Sequence, residues 1–95
     1  NLLEGNDVQK SQFSDFSNAR IMGNLGVVYQ TMGNYSKAKE FLKKSHSLTT
    51  KIYGENHPEF LTSLNNLGVL FSLKGDTEAA ERYYIQKLNA QKIGV

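Results

Sequence analysis

Two histidines and a group of lysines are the side chains of this chain most able to do chemistry. His46 lies in a segment of helical spacing and His57 stands beside Pro58, and the sequence contains no cysteine. A metal site built from so few soft or nitrogen ligands needs a His-x-x-x-His pair, and the sequence has none; carboxylates would have to be gathered from distant elements without any spacing to suggest it. No metal is therefore expected, and His57 is expected to pack in a loop or cap a helix. Gly5, Gly23 and Gly94 stand alone, outside any Gly-x-Ser-x-Gly elbow, phosphate-cradling loop or dinucleotide fingerprint. No catalytic residue and no cofactor is assigned, and the chain is not expected to be an enzyme. Tyr83-Tyr84 is expected to be half core and half surface rather than a platform for stacking a ligand.

Lys37, Lys39, Lys43, Lys44 and Lys51 invite a nucleic-acid reading, because lysine and arginine dominate phosphate binding. The aromatic residues nearby, Tyr35 and Phe41, belong to the apolar stripe instead, so the lysines form a solvated outer face and no nucleic acid is expected. A net charge of +2 on 95 residues, evenly mixed, adds no pull toward an anionic partner. Hydrophobic content of 39% with 21% charged residues is that of a folding chain, not a disordered one. The apolar runs are far short of the ~20 residues that span a bilayer, so no membrane partner is expected. The chain starts at Asn1 without a signal-like segment and has the look of an excised piece, with the cytoplasm as the default location.

The elements that must position any site come from an internal repeat. Asn24-Leu25-Gly26-Val27 returns 42 residues later as Asn66-Leu67-Gly68-Val69, with Gly33/Gly75 and Ala38/Ala80 at the same offset. Tyr29 matches Phe71, Asn34 matches Asp76 and Phe41 matches Tyr83. Each copy has the periodicity of two helices. A first runs from about Asn18 to Met32, with Ala19, Met22, Leu25, Gly26, Val28, Tyr29 and Met32 forming one buried stripe. Gly33-Asn34 stops it and caps a second, Tyr35 to Ile52, whose stripe is Tyr35, Ala38, Phe41, Leu42, Ser45, Leu48 and Ile52. Pro58 suits the first turn of a third helix running to about Lys74, and Gly75-Asp76 introduces a fourth that reaches roughly Ile93. Gly26 and Gly68 inside helices cost up to about 1 kcal/mol relative to Ala; close helix packing near Ala38 and Ala80, with Tyr29 and Phe71 filling the space beside them, is the expected reason.

These residues resemble the tetratricopeptide repeats. The signature of Leu-Gly, a following aromatic, Gly, then Ala and an aromatic or large residue is present as Leu25-Gly26, Tyr29, Gly33, Tyr35, Ala38 and Leu42, and again as Leu67-Gly68, Phe71, Gly75, Ala80 and Tyr84. The 42-residue spacing is longer than that family's usual ~34. With Tyr53-Gly54-Glu55-Asn56-His57-Pro58 and Asn65-Asn66-Leu67-Gly68, it is similar to the kinesin-light-chain and nephrocystin branch. Thr77 departs from the pattern where the first copy has Tyr35, and so does Lys87 where it has Ser45; an inward Lys87 can carry its ammonium to water along its stem.

The resemblance implies an all-α fold, an α-α superhelix of antiparallel helix pairs, with repeats over 18–57 and 58–95. Residues 1–17 would be the end of a preceding repeat or an N-terminal arm. It also implies that the first helix of each pair lines a concave groove that binds a peptide segment or a partner helix, with Arg20, Asn24, Val27, Gln30, Thr62, Asn65, Asn66, Val69 and Ser72 on its wall. An Asn carboxamide both donates and accepts, which suits a peptide backbone; the alternative is that Asn24 and Asn66 cap or cross-link helices. The function implied is a protein-binding scaffold or adaptor, against the alternatives of a structural, self-associating segment or a regulatory domain of a larger enzyme. Two repeats leave apolar ends, so marginal stability or self-association is expected, through Leu2-Leu3 at one end and Tyr84, Leu88 and Ile93 at the other.

Overall fold

Glycine and proline punctuate the chain into four helices, α1 (Leu2–Thr31), α2 (Tyr35–Tyr53), α3 (Pro58–Leu73) and α4 (Thr77–Ile93). The computed structural model describes the backbone of residues 2–93 and the side chains of residues 15–92; no strand occurs among them.

The turns inside the two pairs are the same structure built twice. Gly33 has φ 82° and Gly75 φ 84°, the left-handed region that only glycine enters without a Cβ penalty. The Gly33 amide donates to the Gln30 carbonyl at 3.0 Å and the Asn34 amide to the Tyr29 carbonyl at 2.8 Å; Gly75 to Ser72 and Asp76 to Phe71 repeat these bonds at 3.0 and 2.8 Å. This pairing closes a helix C-terminus. The residue that ends one helix then caps the next. Asn34 Oδ1 accepts from the Lys37 amide at 3.3 Å and Asp76 Oδ1 from the Ala79 amide at 3.1 Å. Between the pairs the cap is His57, whose Nδ1 accepts from the Glu59 amide at 3.1 Å, with Pro58 in the first turn of α3 and the His57 ring 4.2 Å from that of Tyr53.

Each pair packs antiparallel, and α2 then docks on α3, giving the order α1, α2, α3, α4 across a slab of 52 × 35 × 14 Å. The radius of gyration is 14.9 Å, against about 12 Å for a compact domain of this length, as suits a row of helices. One core runs through the junction: Ala38 and Leu42 of α2 meet Leu67, Leu70 and Phe71 of α3 and Ala79 and Ala80 of α4, with Tyr29, Tyr35 and Tyr83 packed on its edge. Tyr29 stacks on Phe41 and Phe71 on Tyr83, both with centroids 5.5 Å apart.

Three expectations change. First, α1 begins at Leu2, not near Asn18, and no turn separates residues 2–17 from the rest of it. Second, the α1 stripe is only partly buried. Ala19 and Gly26 are covered, whereas Leu25, Val28 and Met32 are exposed, because α2 lies along one side of α1 and no helix lies along the other among the described residues. Third, the glycines make room for different partners. A Cβ on Gly26 would lie 2.6 Å from the Leu42 side chain and 3.2 Å from the Leu42 backbone nitrogen, and one on Gly68 would lie 2.6 Å from the Tyr84 ring. The close approach is therefore to Leu42 and Tyr84, one helical turn beyond Ala38 and Ala80. Leu2, Leu3 and Ile93, expected on the end faces, have side chains outside the described residues.

The two glycines differ in what must give way. Leu42 is sealed between helices and its backbone cannot retreat, whereas the Tyr84 ring is at the surface and can swing aside. Gly26→Ala should lose up to about 2 kcal/mol, overpacking of about 1–3 kcal/mol being offset by a propensity gain of about 1 kcal/mol. Gly68→Ala should fall within about 0.5 kcal/mol of the parent because only a surface ring moves. Urea unfolding midpoints of the two variants check this; equal losses would contradict the asymmetry.

Candidate functional site

Three helices contribute one stripe each to a recess between α1 and α3. Arg20, Asn24 and Val27 stand at i, i+4 and i+7 on α1, and Glu59, Thr62 and Asn66 at i, i+3 and i+7 on α3, so each set shares one helix face. Ser45, Thr49 and Tyr53, at i, i+4 and i+8 on α2, form the floor, and Ala19, Gly23 and Ser63 complete it. The cavity is about 170 Å³, below the roughly 300–1,000 Å³ of pockets that enclose a small molecule. It has room for one side chain or a short stretch of backbone.

The floor owes its hydroxyls to glycine. Gly23 has no side chain, and a Cβ there would come within 3.0 Å of Ser45 Oγ. Ser45 Oγ instead donates to the Ala19 carbonyl at 2.8 Å, tying α2 to α1. In the second pair the corresponding positions are Asn65 and Lys87, and Lys87 Nζ donates to Asn65 Oδ1 at 3.1 Å. At the lower end, Lys51 pairs with Asp15 at 3.5 Å and Phe16 meets the Tyr53 ring edge-on at 5.5 Å.

Of the residues expected on a groove wall, Arg20, Asn24, Val27, Thr62 and Asn66 line this recess. Asn24 is exposed and Asn66 half-buried. Gln30, Val69 and Ser72 do not line it, because the walls converge only over residues 19–27 and 59–66. Asn65 is turned to α4 by its bond from Lys87: neighbours on a helix point about 100° apart, so Asn65 and Asn66 cannot share one wall. Sequence reasoning missed the floor. Its signal was the run of hydroxyls, Ser45 and Thr49, at helical spacing within an otherwise apolar stripe.

Behind the recess, Ser63 links it to the α2–α3 junction. Ser63 Oγ donates to the Phe60 carbonyl at 2.7 Å and lies 2.6 Å from His46 Nδ1. A hydroxyl has one proton to give, so Ser63 donates to only one of these two acceptors at a time, and accepts from His46 Nδ1 in the tautomer that carries a proton there. Phe60 covers the imidazole, with centroids 5.4 Å apart, and burial pushes the His46 pKa below its ordinary 6.5. The described residues include no cluster of three or more His, Asp or Glu that could hold a metal, and no helix among them is long and apolar enough to cross a membrane.

The sequence model of the tetratricopeptide repeat family matches residues 17–92. The chain belongs to the tetratricopeptide repeat family. No curated protein matches the chain. Tetratricopeptide repeats are generally protein–protein interaction modules, typically without catalysis, and the polar recess described above lies between the first helices of two consecutive pairs of this repeat.

His46 gives a pH signature. Its native pKa lies below the unfolded one, so the unfolded chain binds more protons between the two values; stability is fully present above about pH 6.5 and is lost as pH falls through the lowered native value. Urea midpoints should therefore drop from about pH 7.5 to about pH 5.5, where most carboxylates remain ionised. The drop should be smaller in His46→Gln, which has no imidazole to charge. An identical drop in both proteins would contradict the assignment.

Proposed function

We propose that this tetratricopeptide repeat chain is a scaffold or adaptor module that holds a short peptide segment in the recess between α1 and α3. Its units are taken as 18–57 and 58–95. The observation that carries the reading is the placement of two carboxamides, Asn24 and Asn66, on opposite walls of one solvent-open recess. Facing carboxamides can each offer a donor and an acceptor to an extended backbone, which fixes a peptide without demanding one sequence. Arg20 and Glu59 at the same recess add opposite charges, so the guest needs neither a strong positive nor a strong negative charge, in line with the chain's small net charge. The recess volume suits one inserted side chain better than a cofactor.

The 42-residue spacing, the Tyr53-to-Pro58 loop and the Asn65-Asn66-Leu67-Gly68 motif favour the kinesin-light-chain and nephrocystin branch of the family. In that branch the recess would be one step of a longer groove, which agrees with its capacity for only a short piece of guest.

A random peptide library displayed against the chain tests this. Recovered peptides should bind the Asn24→Ala, Asn66→Ala double variant roughly 5- to 150-fold more weakly, since each lost hydrogen-bonded contact contributes about 0.5–1.5 kcal/mol, with an unchanged far-ultraviolet circular dichroism spectrum. Peptides that bind parent and variant alike, or a library that yields no binder, would count against it.

A further inference from the structure

A second cleft opens on the face opposite the recess. Its walls are α2 and α4 and its floor is α3, with Lys39 and Lys43 on one wall, Arg82 and Gln86 on the other and Phe71 beneath. Its volume is about 350 Å³ against about 170 Å³ for the recess, within the roughly 300–1,000 Å³ that encloses a bound group. Walls and floor come from three successive helices. Helices added at either end of the row would lie beyond α1 or α4 and leave this cleft open.

Helix faces that served only to meet would carry opposite charges, whereas these carry like ones. Lys39 and Lys43 stand one turn apart on α2 and Arg82 lines the cleft from α4, so three cations repel one another unless an anion lies between them. The ion pairs among the described residues join Lys44 to Glu40 and Lys51 to Asp15, and use none of the three. Asp76 also lines the cleft, but its Oδ1 is engaged by the Ala79 amide at 3.1 Å as the cap of α4. Glu78, one turn before Arg82, does not line it. Phe71 stacks on Tyr83 and holds two ammonium groups near its ring, Lys39 Nζ at 5.8 Å and Lys74 Nζ at 5.3 Å from the centroid. The positive walls are not a property of the repeat: at the 42-residue offset Lys39 and Arg82 correspond to Glu81 and Glu40.

We propose that this cleft binds an acidic peptide segment of a partner protein through its Asp or Glu carboxylates. The Arg82 guanidinium can hold one carboxylate with two parallel bonds. Lys39 and Lys43, with Cβ atoms about 6 Å apart, match carboxylates two residues apart on an extended segment, a spacing of about 7 Å. The Gln86 carboxamide can donate to and accept from the segment's backbone. A nucleic acid fits less well, because its phosphates continue in a closely spaced row and would run onto Glu40, Glu78 and Glu81, all exposed on the same two helices. The site does not depend on a peptide occupying the recess.

Fluorescence anisotropy of a fluorescein-labelled hexaglutamate peptide, titrated with the chain at low and at physiological salt, tests the proposal. The parent should bind, and less tightly as salt rises, because exposed charges are screened over about 8 Å at roughly 0.15 M. Both side chains replaced in the Lys43→Gln, Arg82→Gln double variant are exposed, and circular dichroism checks that it keeps its helices. It should bind at least roughly tenfold more weakly, through loss of two charge-assisted contacts. Lys51→Gln, Lys92→Gln removes the same net charge more than about two helical turns away along α2 and α4, and Arg20→Gln removes a cation from the recess; both should stay within about twofold of the parent. Absence of hexaglutamate binding at low salt would overturn the proposal, as would equal losses in the two double variants, which would make the attraction one of net charge. A loss with Arg20→Gln as large as with Lys43→Gln, Arg82→Gln would overturn it by moving the site to the recess. A six-nucleotide oligothymidylate that binds the parent at least as tightly as hexaglutamate would overturn it in favour of nucleic acid.

Discussion

The position of α2, held between α1 and α3, sets everything else in this chain. Leu42 is the residue through which that constraint acts. On one side it lies against Gly26, whose missing side chain lets α1 approach until a Cβ would fall 2.6 Å away; on the other it belongs to the cluster containing Leu67 and Leu70. A leucine buried on two sides contributes both the transfer of its surface from water and the absence of a cavity, so removing such a side chain typically costs about 2–5 kcal/mol. The close approach at Gly26 also fixes how far α1 stands from α3, and therefore how wide the recess is. Stability and site geometry rest on the same contact.

The two pairs share this scheme but differ at the recess. Gly23 with Ser45 leaves a hydroxyl-lined floor between α1 and α3. Asn65 with Lys87 fills the equivalent place with a hydrogen-bonded ammonium. The same exchange of both members relates His46 and Ser63 to their counterparts Leu88 and Ile21, which are exposed.

Much of the fold was legible because glycine and its neighbours carry unambiguous backbone information. Gly33-Asn34 and Gly75-Asp76 named both turns and both caps, since a left-handed residue followed by a capping side chain has few other uses. The start of α1 was not legible, because the apolar stripe begins near Asn18 and periodicity does not mark how far a helix continues beyond the stripe. Nor was the exposure of Leu25 and Val28: periodicity identifies which face is apolar and cannot say whether a helix lies on it. At the site, Arg20, Asn24, Val27, Thr62 and Asn66 came from the resemblance to tetratricopeptide repeats. Ser45 and Thr49 were hidden because a floor hydroxyl falls on the same stripe as buried leucines, and its role depends on Gly23 across the interface.

Native-state hydrogen exchange measures the central claim most directly. If α2 clamped between α1 and α3 holds the structure together, amides of α2 and α3, covered on both sides, should be the last to exchange, and those at the open ends, in α1 and α4, should exchange through smaller openings. The measurement belongs at a concentration where the chain is monomeric, so that end faces are bare. Protection that is uniform along all four helices, or strongest in α1 or α4, would contradict the account.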